Sequence, residues 1–364
     1  MKRVYIRELK IGDIISVNIV GNHGRTVITK GSSVSKSTID TLKRNNVIYV
    51  PIEDNNSESD FNIDSIKKDI SGILRTHREY LSETSEYKAF KNDYMRVADN
   101  VRNKFKAIKD GYLSNTYDLS EDIIRIVYRS SDNVDLLNYV SMAKSISESL
   151  YDHSVSTSII SYLLAKWCGY SELKADIAAV SGLFHDIGKL VIPEHILNKA
   201  TPLTIEEEQL IKTHPFEGFM MLKKSSLNKE IKRAVLQHHE QIDKKGYPMS
   251  LGIGEISEYA QIVGLAGRYD FDTRETPYKK AMTPFEAVGT LNDEWFSLCN
   301  GNIALTFLDR ISETYVGNTV LLSNGQRGTI VFINNRDRSH PLVQLSDGSV
   351  INPFENSLKI LKVI

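Results

Sequence analysis

A long helical pattern constrains this chain more than any other feature. From about Leu119 to Ser312 the apolar residues recur at the 3.6-residue spacing of an amphipathic helix, for example over 172–190. Within this segment Thr204 and Glu207 have the spacing of a capping box, which marks the start of a helix. The pattern predicts a mainly α fold in which residues 119–312 form a helical bundle.

The flanking segments have different patterns. Residues 1–54 contain β-rich alternating runs and one short polar helix, which predicts a small N-terminal mixed α/β module. Residues 55–118 are predicted to comprise an acidic linker followed by charged helices. The pattern over 65–110 is typical of a solvated connector or of a homodimerisation helix. In 313–364, short β-branched runs are separated by SNG and SDG turn signals, which predicts a small C-terminal β unit.

Composition excludes several classes of protein. The chain has 364 residues, is 41% hydrophobic and carries a formal net charge of −1, so nothing global points to DNA, RNA or an anionic membrane as its partner. No uninterrupted apolar run approaches the length of a membrane span. Cys168 and Cys299 lack the spacing of a disulfide or zinc motif, which fits a reducing compartment and predicts a cytoplasmic protein.

Histidines are concentrated in the helical segment. Two of the nine in the chain are adjacent, at His238 and His239, and neighbouring residues of a helix point about 100° apart. Both can therefore face one site only at the edge between them, as they would around a metal ion. A solvated helix end, where imidazoles approach the last carbonyl groups, explains the pair equally well.

Four further side chains extend the pattern. His153, His185 and His214 lie in or at the ends of predicted helices, and Asp186 follows His185 directly. A carboxylate on a helix with an apolar opposite face is costly to bury unless a cation neutralises it. An N/O ligand set of this kind suits iron, manganese or zinc, and Lys189, about one turn further on, could hold a phosphate oxygen. Singly, each residue is also consistent with a polar helix surface.

Three motifs follow one another in the helical segment: FHDIGKLVIPEHILNK at 184–199, KTHPFEG at 212–218 and HHEQIDKKGYP at 238–248. In these motifs and their order the chain resembles the HD-GYP subgroup of the HD-domain phosphohydrolases. The resemblance covers about 119–310. It implies a helical bundle with a metal centre that hydrolyses the bacterial second messenger cyclic di-GMP to pGpG or GMP.

The resemblance also implies residue roles. Asp186 matches a metal-bridging carboxylate, and Lys189 matches a lysine near the scissile phosphate. Tyr247, in the namesake GYP turn, matches a residue of the pocket wall near which a signalling protein can dock, and Lys279 matches a contact to substrate phosphate. The positions that match metal ligands are His153, His185, Asp186, His214, His238 and His239.

Three positions depart from the family pattern. Gly267 occupies the place of a further metal-binding aspartate, and Asp270, three residues on, cannot supply that oxygen without a local distortion. Thr276 replaces an arginine that would bind phosphate, and Arg274 is two residues out of register. Ser149 stands where family members with three metals carry Glu, so two divalent ions are the upper limit.

These departures leave three hypotheses open. The first is a metal-dependent phosphodiesterase acting on cyclic di-GMP, with Asp186 and Lys189 as catalytic residues. The second is a degenerate, non-catalytic module that binds a nucleotide or a protein partner. The third is a metal phosphohydrolase with another nucleotide as substrate.

Overall fold

The protein was analysed as a computed structural model that describes residues 2–6, 9–16, 18–20, 26–44, 49–52, 76–111, 117–128, 133–144, 150–276, 279–334 and 336–364. Chain contacts divide it into two compact units, Met1–Thr76 and His77–Ile364. The predicted linker over 53–64 and the Ser149 position lie outside the described residues.

The N-terminal unit is a small mixed α/β module, as the alternating β-rich pattern predicted. Strand β1 (Lys2–Tyr5) pairs antiparallel with β4 (Tyr49–Ile52), and β2 (Ile19–Val20) pairs antiparallel with β3 (Thr26–Ile28). Helix α1 (Lys36–Arg44) lies between β3 and β4 in the chain. The module has its own core of aliphatic side chains, namely Ile6, Leu9, Ile15, Ile19, Ile28, Val34, Leu42, Val50 and Ile52.

The second unit consists mainly of helices, which confirms the predicted fold class. Its elements are α2 (His77–Glu83), α3 (Ser85–Lys109), α4 (Tyr117–Val127), α5 (Asn133–Ala143), α6 (Leu150–Trp167), α7 (Glu172–Phe184), a 3₁₀ helix (Ile187–Val191), α8 (Glu194–Leu197), α9 (Ile205–Ile211), α10 (His214–Leu222), α11 (Lys229–Gln237), α12 (Glu258–Asp272), α13 (Pro284–Leu298) and α14 (Gly301–Thr314). The predicted capping box at Thr204 and Glu207 is present at the start of α9.

Helix α6 is the central element of the bundle. Every residue from Ser154 to Ala165 is buried, serines and a threonine included, because other helices surround it. A helix enclosed on all sides needs no polar face, and α6 has none. Among the residues that the structure describes, no helix has the combined length and apolar character needed to cross a membrane.

The charged helix α3 packs into the same core as the bundle. Its apolar side chains, spaced three or four residues apart, are buried: Tyr87, Phe90, Tyr94, Val97, Val101, Phe105 and Ile108. The structure therefore divides the chain at Thr76/His77, and not after residue 118 as the charge pattern predicted. The reason is that the polar residues of α3 cover only its outer face.

The C-terminal strands form one antiparallel sheet. Strands β5 (Thr319–Leu322), β6 (Arg327–Asn334), β7 (Asp337–Leu345), β8 (Val350–Ile351) and β9 (Ile360–Val363) are ordered β8-β7-β6-β5-β9. The two turn signals lie at hairpins, and Gly325 and Gly348 adopt φ of +84° and +87°, which glycine tolerates without strain. Val320, Ile330 and Val343 belong to the core of the helical bundle. The predicted β unit is present, but it shares a core with the helices.

Candidate metal centre

Asp186 lies at a break between two helices. Helix α7 ends at Phe184, His185 caps it, and a 3₁₀ turn begins immediately after Asp186. Gly188 in that turn packs against α10: a Cβ there would lie 1.9 Å from the backbone oxygen of His214. This close approach requires glycine and brings His214 to the carboxylate.

The remaining imidazoles come from three other helices. His153 lies in the first turn of α6 and His214 begins α10. His238 caps the end of α11 and His239 follows it. Helix α12 crosses this end closely, because a Cβ on Gly264 would lie 2.5 Å from the backbone oxygen of His238. Residues far apart in sequence therefore meet at one point.

The two oxygens of Asp186 face different imidazoles. Oδ1 lies 3.1 Å from Nε2 of His214 and 3.7 Å from Nε2 of His238. Oδ2 lies 3.5 Å from Nε2 of His153 and 3.4 Å from Nε2 of His185. The ligand atoms form two groups that share this carboxylate: one of Asp186, His214, His238 and His239, and one of His153, His185 and Asp186.

The adjacent pair His238 and His239 does face one site. Their ring centroids are 4.2 Å apart, and both belong to the ligand group that contains His214. Each ring also lies near His214, with centroid distances of 5.2 Å for His238 and 5.0 Å for His239. Of the two explanations for the adjacent pair, the structure therefore agrees with the one in which both rings face a single site at the edge between them.

Hydrogen bonds from Nδ1 of three imidazoles leave the Nε2 lone pairs pointing into the cluster. Nδ1 of His185, His214 and His238 lies 2.7, 2.7 and 2.8 Å from the backbone oxygens of Gly182, Ile211 and Val235. Because a carbonyl oxygen only accepts, Nδ1 carries the proton in each ring, and Nε2 of the neutral imidazole is an acceptor.

Several acceptors converge in this cluster, where Lys189 donates to Oδ2 of Asp186. Nε2 atoms are 3.3 Å apart in His153 and His185, and 3.2 Å apart in His214 and His238. Within the described part of the chain, Oδ1 of Asp186 is buried and has no hydrogen-bond donor, because the atom 3.1 Å away, Nε2 of His214, is itself an acceptor. A buried acceptor without a donor is costly, and a divalent cation removes that cost. The donor set therefore fits metal ions bound by imidazole and carboxylate.

Ionisation agrees with this picture. Burial lowers the pKa of His185 well below its usual value and also lowers the pKa of His214, so both rings are neutral near pH 7. Burial acts to raise the pKa of the Asp186 carboxyl, but the ammonium group of Lys189 lies 2.6 Å from Oδ2, and the net effect of the surroundings is to lower that pKa. Neutral imidazoles and an ionised carboxylate are the forms that bind metal.

Two predicted substrate-binding residues lie at this cluster. Nζ of Lys189 is 2.6 Å from Oδ2 of Asp186, and its side chain is one-quarter exposed. The ring of Tyr247 stacks on His239, with a centroid distance of 4.6 Å and an interplanar angle of 17°. Nζ of Lys212 lies 5.9 Å from the centre of the Tyr247 ring. A cation and an aromatic face therefore border the cluster.

The other predicted phosphate contacts lie in different surroundings. Nζ of Lys279 bonds to Oδ1 of Asp272 at 3.0 Å and to the backbone oxygen of Phe271 at 3.1 Å. Arg274 is 5% exposed and pairs with Asp152 and Asp270, so it does not take the role of the arginine absent at 276. The contact of Lys279 with substrate stays a prediction.

Gly267 faces the cluster, as expected for a vacant ligand position. A Cβ at 267 would lie 3.5 Å from Nε2 of His185 and 3.6 Å from Cγ2 of Thr157. These are ordinary van der Waals distances, so a side chain fits there. The group of His153, His185 and Asp186 consequently offers one ligand fewer than the other group.

Sequence reasoning missed a buried ionic network behind the cluster. Asp152, Asp270 and Arg274 are all nearly inaccessible, and Lys144 lies 3.5 Å from Asp270. Two signals were present in the sequence: a charged residue, Asp152, in a helix with an otherwise apolar or small-residue surface, and the i, i+4 pair of Asp270 and Arg274.

Comparison with known proteins gives a family match that spans this centre. Residues 140–296 match the HD domain. The chain is 31% identical over 229 residues to a cyclic di-GMP phosphodiesterase of Pseudomonas aeruginosa, covering 63% of this chain and 54% of the relative. It is 28% identical over 207 residues to a cyclic di-GMP phosphodiesterase of Borreliella burgdorferi, covering 56% and 55%.

A third relative has a different named substrate. The chain is 30% identical over 141 residues to a 3′3′-cGAMP-specific phosphodiesterase of Vibrio cholerae, covering 39% of this chain and 31% of the relative. The chain spans about half the length of the first two relatives. The family match includes every ligand of both groups, from His153 to His239. Residues 140–296 of this chain are therefore similar in sequence to the HD domain.

Proposed function

We propose that this chain is a metal-dependent phosphodiesterase that hydrolyses cyclic di-GMP to pGpG or GMP in bacterial second-messenger signalling. The observation that carries the proposal is the geometry of Asp186, whose two oxygens face separate groups of imidazoles. A carboxylate shared in this way would serve as a ligand to both ions of a two-metal hydrolase.

The two ligand groups would hold at most two divalent ions. Asp186, His214, His238 and His239 would hold one, and His153, His185 and Asp186 the other. Iron or manganese is the first choice for such N/O donors, with zinc as the alternative. When bound, such ions acidify a water molecule and stabilise negative charge on a phosphoryl group.

The chain itself would position the substrate. Lys189 is a fixed cation beside the shared carboxylate, placed to donate a hydrogen bond to a non-bridging phosphate oxygen. The stacked ring of Tyr247 would form the adjacent wall of the pocket. Lys279 would add a second phosphate contact only by leaving Asp272, to which it is now bonded.

Substrate choice rests on the relatives. Those of Pseudomonas aeruginosa and Borreliella burgdorferi are named for cyclic di-GMP, and the third for 3′3′-cGAMP. The second candidate substrate is therefore another cyclic dinucleotide. A degenerate module that binds without turnover is the other candidate, because Gly267 and Thr276 remove one metal ligand and one phosphate donor.

One assay separates these possibilities. Purified protein is loaded with Mn²⁺ or Fe²⁺, metal per chain is measured, and turnover of cyclic di-GMP and 3′3′-cGAMP is compared. A stoichiometry near two with formation of pGpG supports the proposal. Turnover of 3′3′-cGAMP alone changes the substrate, and nucleotide binding without any product identifies a non-catalytic module.

A variant pair tests the role of Lys189. We expect Lys189→Met to lower kcat for cyclic di-GMP by about 100-fold, the typical effect of losing one donor to a developing charge. Metal content should be retained, because Lys189 is not a ligand. Lys224→Met removes an exposed lysine and should leave kcat unchanged. Equal rates for both variants would remove Lys189 from the mechanism.

Partners and location are part of the same proposal. A signalling protein could dock beside the GYP turn, where Met249 is 45% and Ile253 67% exposed. A homodimer through 65–110 would have to use the outer face of α3, since its apolar face is buried within the chain. A cytoplasmic location is supported by the two free cysteines, Cys168 and Cys299.

A further inference from the structure

His153 is held differently from the other imidazoles. Nδ1 of His185, His214 and His238 donates to a backbone oxygen three residues earlier in the chain. Nδ1 of His153 instead lies 2.7 Å from Oδ2 of Asp270, a carboxylate on α12. The orientation of this ring is therefore set by a side chain of a different helix.

Asp270 is itself fixed by buried charges. It is fully buried, and its Oδ2 accepts hydrogen bonds from Nε of Arg274 at 3.0 Å and from Nη2 at 2.9 Å. Nη1 of Arg274 bonds to Asp152, and Nη2 lies 2.9 Å from Oγ of Ser156. Asp152 and Ser156 are both on α6, the helix that carries His153. The network thus locks α12 to α6 around one imidazole.

The charge on Asp270 is secure in this environment. The Arg274 guanidinium is bonded to its Oδ2, and Nζ of Lys144 lies 3.5 Å from its Oδ1, so two cations face this carboxylate. An ionised carboxylate accepts hydrogen bonds and cannot donate them, so Nδ1 of His153 must carry the proton. Nε2 is then left with its lone pair on the side of Asp186.

Gly267 and Asp270 lie about one turn apart on α12 and face different imidazoles of the group formed by His153, His185 and Asp186. A side chain at 267 would approach Nε2 of His185 directly. Asp270 reaches the far side of the His153 ring, away from the ligand atoms. The chain has no carboxylate at the first position but keeps one at the second.

We propose that Asp270 is a positioning residue for the metal centre, fixing the tautomer and the orientation of His153, with Arg274 and Asp152 holding Asp270 in place. The inference rests on the proposed function for its metal. Carboxylate partners of metal-binding histidines raise ligand basicity and restrict ring rotation, and their loss lowers metal affinity by about 10–100-fold. Here the effect is confined to the group with fewer ligands.

The test uses Asp270→Asn in the full chain. Isothermal titration calorimetry with Mn²⁺ should show that the affinity of the site containing His153 and His185 falls by about 10–100-fold. The affinity of the site of His214, His238 and His239 should be unchanged. Imidazole ¹⁵N NMR of the metal-free protein should show His153 protonated at Nδ1 in the wild type and a mixture of tautomers in the variant. A purely structural role would alter stability but neither readout.

Asp272→Asn is the matched control. Asp272 lies on the same helix, is 3% exposed and is paired with Arg268 and Lys279, but none of its bonds reaches a cluster imidazole. This variant should keep both affinities and the His153 tautomer. The inference fails if Asp272→Asn weakens metal binding as much as Asp270→Asn, or if Asp270→Asn leaves both affinities unchanged.

The wild type alone also decides the question. If Nδ1 of His153 is unprotonated in the metal-free protein, Asp270 does not set the tautomer, whether or not the variant folds. If the wild type binds no Mn²⁺, Fe²⁺ or Zn²⁺, the proposed function fails. The NMR result would then show separately whether the contact between Asp270 and His153 controls the ring.

Discussion

Asp186 is the residue at which the two candidate ligand groups meet. It is 1% exposed, and its oxygens are approached by four Nε2 atoms and one ammonium group. Within the described residues it belongs to both ligand groups, while each imidazole belongs to one. Its loss should therefore affect both ions, whereas loss of any single histidine should affect one.

Asp186→Ala should strip metal from both positions. With the shared carboxylate gone, one group keeps three imidazoles and the other two, and neither of these two groups retains a carboxylate ligand. Metal per chain, measured by inductively coupled plasma mass spectrometry after gel filtration, should fall from its wild-type value towards zero. Asp243→Ala, which removes an exposed carboxylate near His239, should retain the wild-type content. Full retention in Asp186→Ala would mean that the ions bind elsewhere.

Gly267→Asp should raise metal occupancy. A Cβ at 267 has only ordinary contacts, and the added carboxylate would supply the group of His153 and His185 with the oxygen it lacks. Occupancy of the weaker site at a limiting Mn²⁺ concentration should increase, with turnover following if the rest of the centre is intact. Gly267→Ala fills the same space without the oxygen and serves as the control. Unchanged metal content in both variants would show that α12 does not supply a ligand position there.

At the scale of elements, α3 packs against residues that neighbour two of the candidate ligands. Phe105 on α3 stacks on Phe184 with a centroid distance of 5.6 Å, and Phe184 is the residue directly before His185. Phe105 also meets Tyr151 edge-on at 6.2 Å, and Tyr151 lies two residues before His153. A helix that the sequence suggested was a connector therefore packs against residues that closely precede both imidazoles of one ligand group.

Phe105→Ala should destabilise the protein by about 3–5 kcal/mol, the usual cost of removing a fully buried phenylalanine. Urea unfolding at equilibrium measures this free energy. Phe296→Ala, on a side chain that is 67% exposed, should change it by less than about 0.5 kcal/mol. If Phe105→Ala instead leaves stability unchanged and dissociates an oligomer, α3 is the dimerisation helix of the earlier hypothesis.

At the scale of the whole molecule, helices and C-terminal sheet share one core that buries several tyrosines. Tyr269 and Tyr315 join α12 to the turn after α14 through hydroxyl groups 3.0 Å apart. Tyr94 on α3 bonds to Oγ of Ser156 at 2.6 Å and to the backbone oxygen of Asp152 at 3.1 Å. These rings tie separate elements together, so their ionisation should act on global stability.

Stability should fall steeply in alkali. Burial raises the pKa of Tyr94 and Tyr269 well above 10.0, so the folded state retains protons that the unfolded state loses. Their contribution is complete below pH 10.0 and decreases above it, by up to about 1.4 kcal/mol per pH unit for each tyrosine. Urea unfolding measured above pH 10.5 and at about one unit higher gives the slope.

Two points complete this experiment. Burial lowers the pKa of Lys144 from 10.5 to about 8, so the free energy of unfolding increases as the pH rises from about 8 to 10.5. Measurement above pH 10.5 avoids this effect, which opposes that of the tyrosines. Tyr94→Phe keeps the ring and should reduce the slope. A slope equal in wild type and variant would show that Tyr94 ionises without unfolding the protein.

The sequence by itself determined the kinds of element and the set of candidate metal ligands. Helical periodicity, the capping box at Thr204 and the glycines of the two hairpins act through neighbouring residues, so they can be read from local spacing. The histidines and Asp186 were recognisable because their residue types and motif order suit metal binding. The mixed N-terminal module was predicted on the same local grounds.

Only the tertiary structure decided how these pieces are used. The burial of α3, the shared core of helices and sheet, and the pairing of Asp270 with His153 depend on contacts between segments distant in the chain. Local spacing could pair Asp270 with Arg274, four residues on, but could not show that Asp152 on α6 would hold Arg274 or that Asp270 would meet an imidazole of α6. Such contacts form when the bundle closes, because burying these charges is favourable only when their partners arrive from other helices.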